Sequence, residues 1–99
     1  MTVYLLSTNR IKPGTEARVR EAAAACRVET LKEPGCIHYD LNQSTSDALL
    51  FTFIECWKTR EDITVHLATP HLQAWRAVAA DCVESREIEI IHAGQVERL

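Results

Sequence analysis

Residues 48–57, ALLFTFIECW, form the strongest predicted β-strand of the chain, because eight of these ten residues are aromatic or otherwise apolar. Leu50 and Ile54 fall on one side of such a strand. Phe51 and Phe53 fall on the other side. A strand that is apolar on both faces is typical of a sheet buried on both faces. The stretch therefore predicts a central strand whose two faces are both covered.

The segments around this strand predict three more strands and a first helix. The predicted strands cover residues 2–8, 36–43 and 86–93. The turn residues Lys12–Gly14 separate the first strand from a helix that Thr15 is expected to cap. That helix ends before Pro34–Gly35, a pair that favours a type II turn. Its apolar stripe at helical spacing consists of Val19, Ala22, Ala23, Cys26 and Thr30.

A helix split into two pieces is predicted between residues 57 and 86. Thr59 and Asp62 resemble a capping box and open the first, short piece. Thr69 is expected to cap the second piece, and Pro70 takes its first position. The apolar stripe of this second piece consists of Leu72, Trp75, Val78, Ala79 and Cys82.

The resulting order, β-α-β-β-α-β, predicts an α+β fold of the ferredoxin-like sandwich type, with residues 1–99 as a single domain. In this architecture the helices cover only one face of the sheet. The apolar residues on both faces of residues 48–57 require a cover for the second face. A second copy of the same sheet is the simplest cover, so we predict a homodimer that pairs through the sheet face.

Composition excludes several classes of protein. The net charge of −3 and the absence of a Lys/Arg cluster argue against a nucleic-acid partner. No apolar run approaches the roughly 20 residues that cross a bilayer, and the N-terminal residues do not resemble a signal peptide. The four cysteines lack metal-binding spacing and fit buried thiols in a reducing compartment. A cytoplasmic protein without a membrane partner is therefore expected.

Residues 65–75, VHLATPHLQAW, contain two histidines on otherwise apolar helical stripes. A metal site is disfavoured, because Pro70 breaks the helix and a separation of five residues turns His71 about 140° away from His66. No third ligand stands at a recognised spacing, so no metal is expected. Two interpretations stay open for the histidines: satisfied core residues, or the lining of a pocket. Glu55 shares a strand face with Phe53 and is expected either to pair across the dimer, which is favoured, or to point into a cavity.

Several stretches together resemble the antibiotic biosynthesis monooxygenase family, and most closely its quinol monooxygenase-like members. They are RIKPGTEARV, LKEPGCIHYDLNQS, FIECWKTREDITVHLATPHLQAW and the closing IEII, which together span nearly the whole chain. The most specific part is the Glu-x-Trp of Glu55 and Trp57, followed by the His-x-x-Thr-Pro-His that begins at His66. The resemblance implies a dimeric α+β barrel, in which two ferredoxin-like sheets pack face to face.

For function, the resemblance implies a cofactor-free monooxygenase that oxidises a quinol or polyphenolic aromatic molecule with O2. His66 is the expected general base and therefore the expected catalytic residue. The residues expected to bind substrate are Ser7, Tyr39 and His71, which orient its oxygens, and Phe53, Trp57 and Trp75, which form an apolar wall. Haem-degrading members of the family carry different residues where this chain has Ser7, His66 and Arg76, so no haem is expected.

Two other functions stay open. The family includes an isomerase of a phosphorylated signalling molecule, which would need a basic patch at the pocket mouth, with Arg60 or Arg76 as candidates. The other is a non-catalytic dimeric domain that binds a small molecule. A cavity filled by Phe53, Trp57 and Trp75 would favour that domain, and an open cavity of ligand size, lined by His66, would favour an enzyme.

Overall fold

A computed structural model describes residues 2–99 and confirms the predicted order of elements, with the split helix as two helices. The elements are β1 (Thr2–Ile11), α1 (Glu16–Thr30), β2 (Cys36–Gln43), β3 (Leu50–Trp57), α2 (Arg60–Leu67), α3 (Pro70–Cys82) and β4 (Val83–Ala93). None of the helices in residues 2–99 is long and apolar enough to cross a membrane.

The four strands form one antiparallel sheet in the order β2-β3-β1-β4, so β1 and β3 are its central strands. Leu5 lies opposite Glu55 on β3 and Ile90 on β4. Directly opposed residues of antiparallel strands point to the same face. The buried positions of β1 alternate along Val3, Leu5, Ser7, Asn9 and Ile11, and this face carries the helices.

The hydrophobic core lies between this face and the apolar stripes of α1 and α3, which pack beside each other. Val19, Ala23 and Cys26 of α1 are buried as the periodicity predicts, and so are Trp75 and Cys82 of α3. All four cysteines are free, and three of them are buried. Their burial as small apolar residues is therefore confirmed for Cys26, Cys56 and Cys82.

The opposite face of the sheet has no helix over it and carries apolar side chains. Leu6 lies opposite Ile54, and Tyr4 lies opposite Ile91. Ile54 is 38% exposed and Ile91 is 46% exposed in the single chain. The structure therefore confirms that the helices leave one partly apolar face uncovered.

Three local expectations are corrected. Thr15 occupies the cap position of α1, but its Oγ1 donates to the carbonyl of Lys12 and caps nothing. The strands β1 and β4 extend beyond the predicted 2–8 and 86–93, because their long antiparallel pairing runs from Thr2 to Ile11. Cys36 N–H donates to the Glu33 carbonyl across Pro34–Gly35, but Gly35 lacks the positive φ that a type II turn requires.

Gly35 is required for close packing. A Cβ atom at this position would overlap the carboxyl group of Asp62, which completes the capping box of α2. Thr59 Oγ1 accepts from Asp62 N at 3.1 Å, and Thr59 N donates to Asp62 Oδ2 at 3.1 Å. The turn before β2 and the start of α2 thus approach each other at a position that only glycine fits.

We therefore expect Gly35→Ala to lower the free energy of unfolding by about 1–3 kcal/mol, through a displaced cap and local overpacking. Thermal denaturation should show this as a lowered midpoint. Gly94→Ala is the matched control, because a Cβ there meets nothing within 4 Å. Equal midpoints for the two variants would contradict the packing role of Gly35.

Candidate functional site

The break between α2 and α3 positions the two histidines. Thr69 Oγ1 donates to the carbonyl of His66 at 2.7 Å and accepts from Leu72 N at 3.3 Å. One threonine thus closes the end of α2 and caps α3, as the sequence predicts. His66 lies in the last turn of α2 and His71 in the first turn of α3. The separation of the two histidines onto two helices is confirmed.

Both histidine rings contact one carboxylate, that of Glu33, just before the turn into β2. Glu33 Oε2 lies 2.6 Å from His66 Nδ1 and 2.9 Å from His71 Nε2. The side chain of Glu33 is only 11% exposed and that of His66 only 2%. The expectation that the helix break keeps the histidines apart is wrong, because His71, in the first turn of α3, contacts the same carboxylate as His66.

The contact with Glu33 fixes the tautomer of His66. A carboxylate only accepts hydrogen bonds, so a neutral His66 donates its Nδ1–H to Glu33 and keeps a lone pair on Nε2. Among residues 2–99, Nε2 has no hydrogen-bond partner. Burial lowers the pKa of His66, and the neighbouring Glu33 partly opposes that shift. The ring is therefore mainly neutral near pH 7, with its basic nitrogen available.

The rings of Trp57 and Tyr39 pack against His66. The centroid distances are 4.7 Å for Trp57 and 5.5 Å for Tyr39. Burial raises the pKa of the Tyr39 hydroxyl, so this residue stays neutral at ordinary pH. Aromatic packing and the Glu33 contact together hold the imidazole in one orientation.

His66 also lines a small cavity between the sheet and α2 and α3, with a volume of about 50 Å³. This space accepts water or O2, whereas a cavity of about 150 Å³ is known to accept benzene. An aromatic ligand therefore requires side chains at the mouth to move. The lining residues are Leu5, Ser7, Tyr39, Phe53, Glu55, His66, Leu67, Leu72, Trp75, Arg76, Arg86 and Ile88.

The cavity brings together most of the residues expected from the sequence. Of the expected set, it is lined by Ser7, Tyr39, Phe53, His66 and Trp75. The other two lie elsewhere. Trp57 is fully buried behind the His66 ring, and His71 lines a separate groove of about 200 Å³ between α1 and α3. Both therefore contact His66 or its carboxylate partner without reaching this cavity.

Glu55 points into the cavity and does not reach the uncovered sheet face. The favoured expectation that it pairs across a dimer is therefore corrected. Its Oε1 accepts a hydrogen bond from Trp57 Nε1 at 3.0 Å, within the same chain. Burial raises the pKa of Glu55 to about 7, and the charge of Glu33 adds to the rise.

The sequence analysis missed three polar residues of the site. Glu33 gave no signal, because a glutamate at a helix end is usually solvated, and only the tertiary fold packs it against the histidines. Arg86 and Asn9 face each other on neighbouring strands, and Arg86 Nε donates to Asn9 Oδ1 at 3.0 Å. Asn9 Nδ2 in turn donates to the carbonyl oxygen of Ser7 at 2.9 Å. Asn9 and Ser7 are two residues apart and lie on the same face of β1, and this spacing is the signal that could have identified Asn9.

Glu33, His66 and His71 also present the donor types of a divalent metal site. One ligand atom from each lies within 4.8 Å of the others. Two imidazoles and a carboxylate suit zinc and other divalent transition metals. The same atoms already form a hydrogen-bonded cluster without an ion. The expectation that the protein uses no metal stays a prediction.

Comparison with known proteins places this site in a family. The family model described as antibiotic biosynthesis monooxygenase matches residues 2–78. The chain belongs to this family. Membership suggests a monooxygenase-like function on a small molecule and confirms the family resemblance of the sequence. A search of curated proteins finds no match to this chain.

Solved structures share the fold at low sequence identity. A protein from Nitrosomonas europaea, provisionally assigned as an antibiotic biosynthesis monooxygenase, is 28% identical with a TM-score of 0.90, over 94% of this chain and 90% of its own. A protein from Shewanella oneidensis is 27% identical with a TM-score of 0.88, over 93% and 90%. A conserved protein from Methanosarcina mazei is 25% identical with a TM-score of 0.88, over 92% and 91%.

The raised pKa of Glu55 predicts a pH-dependent stability. An unfolded glutamate ionises near its ordinary value of 4.5, whereas folded Glu55 ionises near 7. The stability that this group contributes is therefore present below pH 4.5 and lost as the pH rises through 7. The shift corresponds to a loss on the order of 3 kcal/mol.

Glu55→Gln keeps an acceptor for Trp57 and removes the ionisation. In urea unfolding at pH 5 and pH 8, we expect the variant to gain stability relative to the parent as the pH rises. Gln43→Glu, an exposed change at the end of β2, is a control for an added carboxylate. Parallel stability of parent and Glu55→Gln across this range would refute the shifted pKa.

Proposed function

We propose that the protein is a cofactor-free monooxygenase that oxidises a quinol or other phenolic aromatic molecule with O2. The observation that supports this proposal is the orientation of His66. Its Nδ1 contacts buried Glu33, its other ring nitrogen has no protein partner among residues 2–99, and its ring lines the cavity. A neutral base in an apolar site is the group that this chemistry requires.

In the proposed reaction, His66 Nε2 removes a hydroxyl proton of the quinol. The resulting anion transfers one electron to O2, and the semiquinone and superoxide combine at a ring carbon as a peroxide anion. The protonated His66 returns its proton to this anion, which gives a hydroperoxide and restores the base. Loss of water from the hydroperoxide leaves a hydroxylated quinone. One quinol and one O2 thus give one hydroxylated quinone and one water. One oxygen atom enters the ring and the other leaves as water, so O2 is the only oxidant required.

The other cavity residues have roles that follow from their chemistry. In this proposal Ser7 holds a substrate oxygen, while Phe53 and Trp75 form the apolar wall, with their rings 5.1 Å apart. Tyr39 also lines the cavity, but its hydroxyl contacts Cys26 Sγ at 3.7 Å, so its expected contact with a substrate oxygen stays a prediction. An apolar wall keeps water from the radical pair. Trp57 and His71 act as positioning residues, because they contact His66 and Glu33.

We expect His66→Ala to reduce oxygen uptake with a reduced naphthoquinone to the non-enzymatic rate. Removal of a general base typically costs about 10²–10⁴-fold in rate. His92→Ala is the matched control, because this exposed histidine of β4 does not line the cavity. Uptake by His66→Ala at the parent rate would contradict the base assignment. Uptake by the parent at only the background rate would favour a non-catalytic binding domain.

Glu33→Gln tests the proposed partner of the base. The carboxylate raises the pKa of His66 against the larger lowering by burial. Its neutralisation should therefore move the acidic limb of the kcat/KM profile to lower pH and lower kcat. Glu29→Gln, on the exposed last turn of α1, is the control. A parent-like pH profile for Glu33→Gln would exclude this electrostatic coupling.

We further propose that the protein is a homodimer paired through its uncovered sheet face. Ile54, Leu6 and Ile91 lie on that face, opposite the helices. Pairing two such faces would bury apolar area that the single chain leaves exposed. This assembly agrees with the dimeric barrel that the family resemblance implies. The cytoplasmic location stays a prediction.

Light scattering after size-exclusion chromatography should therefore give twice the mass of the chain for the parent. We expect Ile54→Glu to shift the mass toward the monomer, because each chain would then place an unpaired carboxylate on the face that the interface buries. Val65→Glu, on the exposed surface of α2, should leave the dimer intact. A monomeric parent would contradict the proposed assembly.

A further inference from the structure

Two arginines from different elements converge on the cavity mouth. Arg76 comes from α3 and Arg86 from β4, and both line the cavity that contains His66. Neither takes part in any ion pair among residues 2–99. Three of the other six arginines, Arg10, Arg18 and Arg27, form ion pairs with aspartates. Two unpaired cations therefore lie at one opening.

Arg86 is held in place at this opening. Its Nε donates to Asn9 Oδ1 at 3.0 Å, and Asn9 is fixed by hydrogen bonds to Ser7. The two terminal guanidinium nitrogens of Arg86 have no partner among residues 2–99. A guanidinium anchored through Nε presents its terminal N–H groups in one direction, which suits an oxyanion.

The positive charges of Arg76 and Arg86 repel each other at the mouth. Burial lowers the pKa of Arg86, and the neighbouring charge of Arg76 lowers it further. Arg76 also contributes to the lowered pKa of His66, so its charge reaches the proposed base. Glu55 is the only acid in the lining; its Oε1 accepts from Trp57 Nε1, and burial raises its pKa to about 7, so it is only partly ionised near neutral pH. Among residues 2–99, no carboxylate forms an ion pair with either arginine at the mouth.

We infer that Arg76 and Arg86 form a subsite for an oxyanion substituent, such as a carboxylate or a phosphate ester, on the phenolic substrate. This inference rests on the proposed function, because it assigns the substrate class of the same cavity. An anion between the two guanidiniums relieves their mutual repulsion and directs the phenolic end of the ligand inward toward His66. The substrate is accordingly an anionic phenol or quinol.

Arg60 does not belong to this subsite. Its Nη1 donates to Thr64 on the exposed side of α2, and the residue does not line the cavity. Of the two arginines considered from the sequence for a basic patch, the structure thus places only Arg76 at the mouth. Arg86 is the second member, which the sequence analysis did not identify.

Binding of a charged ligand and its neutral isostere tests the subsite directly. Under anaerobic conditions, 1-hydroxy-2-naphthoate and 1-hydroxy-2-naphthamide can be titrated against the protein by calorimetry. We expect the carboxylate to bind about tenfold more tightly or better, because charge-assisted hydrogen bonds to a guanidinium are stronger than those that a neutral amide accepts. The preference should weaken as the salt concentration rises. Equal affinity for the two ligands would overturn the inference.

Single arginine variants test which residues produce the preference for the carboxylate ligand. Arg76→Gln removes a side chain without described hydrogen bonds, so its folding should be unaffected, and the carboxylate preference should fall to less than a third. Arg86→Gln should lower the preference similarly, with circular dichroism to verify folding. Arg60→Gln makes the same change of net charge outside the cavity and should keep the parent preference. A parent-like preference in Arg76→Gln would overturn the inference even if Arg86→Gln fails to fold.

A third ligand and a separate assay identify the anion and separate the two proposals. 1-Naphthyl phosphate that binds more tightly than 1-hydroxy-2-naphthoate would support the subsite and assign it to phosphate esters. The reverse order would support it and assign it to carboxylates. Oxygen uptake is measured independently with the quinol 1,4-dihydroxy-2-naphthoate. A carboxylate preference without oxygen uptake would reject the proposed function alone, and uptake without the preference would reject the subsite alone.

Discussion

The carboxylate of Glu33 accepts contacts from two imidazoles, and this buried cluster connects the elements that build the site. Glu33 lies between α1 and β2, His66 lies in the last turn of α2, and His71 lies in the first turn of α3. A buried carboxylate is strongly destabilising unless charged or polar partners compensate it. Both histidines therefore also stabilise the fold, because they are the polar partners of the buried Glu33 carboxylate. The second oxygen, Oε1, is buried without a partner among residues 2–99, which adds to the cost of this arrangement.

The same cluster explains why the cavity is suited to a base. Because Nδ1 of His66 is committed to Glu33, the basic nitrogen is the one that remains. Trp57 and Tyr39 restrict the ring from two sides, and Trp57 also bonds to Glu55. Two carboxylates with different environments thus lie near one imidazole. Glu33 raises the pKa of His66, whereas burial raises the pKa of Glu55 toward neutrality.

The sequence predicted the fold well, because the relevant signals are local. The apolar strand, the Thr59–Asp62 capping box and the Thr69–Pro70 restart each depend on neighbours within a few residues. The structure confirms all three, although the strand predicted over 48–57 begins only at Leu50, after a turn at residues 48–49. Expectations failed where distant contacts intervene. Gly35 serves close packing against Asp62 and not a type II turn, and Thr15 bonds backward to Lys12.

For the site, the sequence by itself determined that His66 and His71 lie on apolar stripes of two separate helices, since helical periodicity and proline chemistry operate locally. It also determined that one sheet face stays uncovered, since strand alternation reports both faces. Only the tertiary structure decided that both rings meet Glu33, that Glu55 faces the cavity, and that Arg76 and Arg86 meet at its mouth. These partners are separated by 10 to 38 positions, and no local pattern encodes which polar groups long-range packing brings together.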